Sequence, residues 1–165
     1  MSEPFTHLDG DGRLRMVDVT DKEPTRRVAE AGCVVHWDTE ALALVAGDDG
    51  LDPVVVARLC GIQAAKRTSQ LIPLCHPINL SDVEVDVRPV AGGIEVHSAV
   101  VTVNRTGVEM EALVACSFAS MSLLGALHER GVAAWFDDVA LLRKSGGKSA
   151  DWGRLVAETP GALRK

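Results

Sequence analysis

The chain has 165 residues, 47% of them apolar and 24% charged, with a formal net charge of −6. That length and composition fit one domain with an adequate core. The acidic balance, with no basic tract to offset it, excludes a general nucleic-acid binder.

Residues 1–15, with Gly10, Gly12 and three acids, read as a flexible N-terminal arm, and the start MSEPFTHLDGDG lacks the basic-then-apolar order of a secretory signal. Met16-Val17-Asp18-Val19 has the alternation of a short strand, and Arg26 to Trp37, ending in Cys33-Val34-Val35-His36-Trp37, that of a longer one. Asp38 and Thr39 can cap a helix through Ala46. Gly47 to Asp52 is a loop, and Pro53 suits the first turn of a second helix ending near Thr68. Val83, Val85 and Val87 alternate with Glu84, Asp86 and Arg88, as in a half-buried strand. Beyond Ala91-Gly92-Gly93, Ile94 to Thr102 forms the second arm of a hairpin. Gly107 to Gly131 predicts a long Ala- and Ser-rich helix, and Val132 to Leu142 a last strand. Residues 151–165 form a tail, which leaves 16–150 as the folded domain. The order βαββαβ predicts an α+β, ferredoxin-like two-layer sandwich: an antiparallel sheet with helices on one face.

No apolar run approaches the roughly 18 residues that a membrane helix needs, so no membrane partner is expected. The four cysteines, Cys33, Cys60, Cys75 and Cys116, are irregularly spaced without a C-x-x-C pair. They are expected to be reduced thiols in a cytoplasmic protein, with Cys33, Cys60 and Cys116 in the core and no metal site.

Chemistry concentrates in Ala64 to Asn79, AAKRTSQLIPLCHPIN. Lys66 and Arg67 close the helical pattern, where cations also complement a helix dipole. Their closeness to Cys75 and His76 favours an anion site instead, since guanidinium offers a planar fork to phosphate. Pro77 holds His76 to extended geometry, so its ring is aimed, and neighbouring cations disfavour its charged form. Cys75 is expected to pack. Lys144-Ser145-Gly146-Gly147-Lys148-Ser149 is not a nucleoside-triphosphatase loop, because Leu142 stands where glycine is needed. Two lysines around a glycine pair still let backbone N–H groups approach an anion, although a plain basic turn explains them equally well. Glu109 and Glu111 open the long helix, where carboxylates suit the dipole without further function.

Together, LIPLCHP, TGVEMEAL and KSGGKS resemble the cyclic pyranopterin monophosphate synthase family (MoaC) of molybdenum cofactor biosynthesis, from about Met16 to Ser149. The resemblance implies a lyase without a redox cofactor. It would convert a cyclised dihydro-GTP into cyclic pyranopterin monophosphate with release of pyrophosphate. It also implies a homohexamer, a trimer of dimers, with the active site at a subunit interface. Leu74, Cys75, His76, Glu109 and Met110 match substrate-contacting positions, and Glu111 matches the second carboxylate. Arg27, Lys66, Lys144 and Lys148 match basic positions around phosphates and purine.

Counted without gaps, the family's catalytic aspartate falls at Gly125, its partner lysine at His128 and a third lysine at Gly50. Glu111 shares a helix face with Gly125 but lies about 21 Å away along the axis, so it cannot substitute for the aspartate. His128, one turn beyond Gly125, can act as acid or base, and Glu129 lies on nearly the same side. Three functions follow as expectations. The first is a repurposed enzyme for cyclisation or rearrangement of a small anionic substrate, phosphorylated ones included. In it His76 and His128 are the acid–base pair, and Lys66, Arg67, Lys144 and Lys148 orient the ligand. The second is the parent synthase with a compensated site, and the third a non-catalytic, ligand-binding homologue.

Overall fold

The computed structural model describes residues 7–37, 52–147 and 151–154. Small and β-branched residues at every second position of Thr25–Trp37 build β1, which buries Ala29, Ala31, Cys33 and Val35 on one side. After Asp52 come α1 (Pro53–Ala65), a one-turn α2 (Thr68–Leu71), β2 (Asp82–Val90) and β3 (Gly93–Asn104). The long helix α3 (Glu109–Glu129), β4 (Ala134–Ser145) and a two-residue β5 (Trp152–Gly153) follow.

The sheet has the order β2-β3-β1-β4-β5, with every neighbouring pair antiparallel. β2 and β3 meet through Ala91-Gly92, and Gly92 takes the left-handed φ of +79° that this tight reversal requires. Both long helices pack on one face of the sheet, as the α+β ferredoxin-like expectation holds. Val85, Val87, Val96 and Val100 of the sheet meet Ala57 and Ala65 of α1 and Ala112, Ala115, Ala119, Leu123 and Leu127 of α3. Gly61 lets the helices approach closely. A Cβ built there would sit 2.8 Å from the Ala115 carbonyl oxygen and 3.2 Å from the Ala119 Cβ.

Several expectations need correction. Met16–Val19 forms no strand; the β-bridge in that part of the chain joins Leu8 to Leu14. The alternation of Val17 and Val19 reports one inward-facing side, which a segment without a pairing strand can also have. The second helix stops at Ala65, because the Thr68 hydroxyl donates to the Ala65 carbonyl (3.0 Å) and a new turn starts there. The last strand reaches Ser145, which places Lys144 within it. Cys60 is only half-buried, whereas Cys33 and Cys116 are buried with their sulfurs 3.5 Å apart and Ser120 beside Cys33 at 2.9 Å. The cysteines are free thiols. The expected helix from Asp38 to Ala46 and the loop from Gly47 lie outside the described residues.

Contrary to the sequence expectation, α3 is long and apolar enough by length and composition to cross a membrane, with a hydropathy of 1.6. Half of that stretch is buried against the sheet and α1, as in a core helix.

Candidate active site

Local backbone geometry creates the site. Past Leu71 the chain turns through Pro73, and the Cys75 amide donates to the Ile72 carbonyl (3.4 Å). Leu74 is held at φ +65°, a left-handed conformation that costs a branched residue on the order of 1–3 kcal/mol. The strained turn sets Leu74, Cys75 and His76 opposite the first turn of α3. There Glu109, Met110 and Glu111 project past Thr106 and Gly107. The two motifs, some thirty residues apart in sequence, thus share one cavity of about 300 Å³. The third wall comes from the N-terminal segment: His7, Val17, Val19 and Lys22.

Glu111 is 4% exposed. Burial pushes its carboxyl up to about 7, and the negative charge of Glu109 adds to the effect. A carboxyl with such a midpoint can give or take a proton at neutral pH. Burial also raises the Cys75 thiol, with the Glu111 charge second, so this sulfur is a neutral packing group rather than a thiolate nucleophile. Asp18 is held below the usual carboxylate range by the Thr20 hydroxyl (2.7 Å) and amide (2.9 Å), with Arg15 and His76 acting from farther away.

Glu109 links this cavity to a smaller cleft of about 20 Å³ lined by Arg27, Lys144, Ser145 and Gly146. The Lys144 ammonium lies 3.3 Å from a Glu109 carboxylate oxygen. The Arg27 guanidinium donates to the carbonyls of Asn104 (3.0 Å) and Arg105 (3.1 Å). Arg27, Leu74, Cys75, His76, Glu109, Met110, Glu111 and Lys144 therefore fall in two adjoining depressions.

Other expected site residues lie elsewhere. Lys66 caps α1 and Arg67 precedes α2; both are exposed and neither lines the cavity. The charged groups around His76 are accordingly Glu109, Glu111, Asp18 and Lys22 rather than that pair. Gly125 and His128 are exposed on the far half of α3, about 21 Å and 25 Å from Glu111 by helical rise. A Cβ added at Gly125 would meet nothing within 4 Å. Lys148 and Gly50 lie outside the described residues. Among the described residues no group of three or more His, Cys, Asp or Glu side chains could hold a metal ion.

Sequence reasoning missed His7, Val17, Val19, Lys22, Ile78 and Thr106 as wall residues. The alternation at Val17 and Val19 marked an inward face, but nothing in the sequence said what it faced.

The MoaC family model matches residues 16–147. A cyclic pyranopterin monophosphate synthase of Streptomyces griseus is 42% identical over 161 residues, covering 96% of this chain and 90% of its own length. Proteins of that name from Thermomicrobium roseum and Parvibaculum lavamentivorans are 46% and 45% identical. These cover 91% and 92% of this chain, and 93% and 97% of their own lengths.

Proposed function

The chain belongs to the MoaC family, and from that premise we propose that it is a MoaC-like enzyme turned to a different reaction, the cyclisation or rearrangement of a small anionic substrate. One observation carries this proposal. Residues of LIPLCHP and TGVEMEAL line one cavity, while the positions that match the family's acid–base pair are Gly125 and His128.

A cavity of about 300 Å³ is in the range of small-molecule sites. Within it, Glu111 and His76 are two groups able to carry protons, one a buried carboxyl and the other an imidazole fixed before Pro77. Leu74, Cys75 and Met110, with Val17, Val19 and Ile78, form the apolar part of the wall. Lys144 and Arg27 approach from the adjoining cleft, where a phosphate or other anion can displace Lys144 from Glu109. Gly125 supplies no carboxylate, and an added Cβ there would meet nothing within 4 Å in the protomer.

Helical rise keeps Gly125 and His128 remote from Glu111 of the same protomer, so His128 can act in this chemistry only from a neighbouring copy. That supports a homo-oligomer with shared sites, the hexamer implied by the family resemblance. A cytoplasmic setting fits the reduced thiols.

The parent synthase reaction is the second reading, and identities of 42–46% across nine-tenths of the chain favour it. Incubation with the cyclised dihydro-GTP, beside a regular family member under the same conditions, separates the two. The proposal predicts no pyranopterin product; product at a comparable rate would establish the parent reaction.

A further inference from the structure

Resting on the proposed anionic substrate, we infer that Lys22, on the N-terminal segment, is the cation that binds the substrate's anionic group inside the main cavity. The floor of that cavity carries two glutamates, so an anion settles there only against a positive charge. Among the described residues, the other candidate cations are placed otherwise. Lys144 faces Glu109 from the adjoining cleft, Arg27 is anchored on the Asn104 and Arg105 carbonyls, and Lys66 and Arg67 do not line the cavity. Lys22 does line it, and it is the only lysine or arginine among the described lining residues.

Its position is built rather than incidental. The Lys22 amide donates to the Val19 carbonyl (3.1 Å), and the Asp18 carboxylate accepts from the Thr20 amide and hydroxyl. This turn points Val19 and Lys22 into the same space, opposite Cys75 and His76. A half-buried ammonium interacts with an anion more strongly there than in open solvent, because fewer waters screen it. The segment before β1 is thereby a working wall of the site.

The experiment is calorimetric titration of the full chain with inorganic pyrophosphate and, separately, with GTP. Lys22→Ala is expected to weaken binding of at least one probe about tenfold or more, the scale of one charge-assisted hydrogen bond. Lys22→Arg, which keeps the charge, is expected to stay within about threefold, roughly 0.7 kcal/mol. Arg13→Ala removes a charge from the same segment but outside the cavity, and so controls for net charge. In the unmodified protein, the bound probe should also slow acetylation of Lys22, a readout independent of any variant's folding. If wild type binds a probe while Lys22→Ala binds it equally well and Lys22 acetylation is unprotected, the inference fails and the proposed function stands. If wild type binds neither probe, the anionic substrate and the role of Lys22 fall together.

Discussion

Glu111 places a proton equilibrium near neutral pH inside a packed wall. Its carboxyl ionises near 4.5 when unperturbed and near 7 when folded. Between those values the folded protein holds a proton that the unfolded chain has lost. The contribution to stability is fully present below about pH 4.5, falls as pH rises, and is gone above about 7. The shift corresponds to on the order of 3 kcal/mol. Thermal melts from pH 5 to pH 8 should therefore show wild type losing stability more steeply than Glu111→Gln, with the variant the more stable of the two at pH 8. Parallel curves would mean that the carboxyl is hydrated and unfit for the proton-transfer role. Where turnover can be followed, the same substitution should lower it on the order of 10²–10⁴-fold.

The helix pair α1–α3 packs through small residues, and the first helix opens on a side-chain cap. Gly61→Ala drives a methyl toward the Ala115 carbonyl and the Ala119 side chain, and should cost about 1–3 kcal/mol in urea unfolding. Asp52→Ala removes the side-chain acceptor of the Val54 amide (2.8 Å) and should cost about 1 kcal/mol by the same measurement. Elements of this kind were legible in the sequence wherever periodicity and caps agreed. Val83 to Val87 read as a strand because side chains alternate between faces, and Pro53 marked a helix start because it needs no N–H partner there. Lys66 and Arg67 do not line the protomer's cavity, because adjacency in sequence does not survive a helix end. The turn at Thr68 separates them from the loop that carries His76. The wall from His7 to Lys22 was illegible because it pairs with no strand, and only its inward face left a trace.

At the scale of the whole molecule, one protomer brings LIPLCHP and TGVEMEAL to one cavity but keeps Gly125 and His128 some 21–25 Å from Glu111 along α3. An assembly with shared sites predicts an oligomer in sedimentation equilibrium, with a mass near six chains; a monomer at micromolar concentration would remove His128 from the chemistry. The central claim is that the family's binding cavity persists here while its acid–base centre has changed. The most direct test returns the family residues together, as the variant Gly50→Lys, Gly125→Asp, His128→Lys, and follows pyrophosphate release and pyranopterin formation from the cyclised dihydro-GTP. The account predicts product from the restored variant and none above background from wild type. Product from wild type at the rate of the restored variant would contradict it.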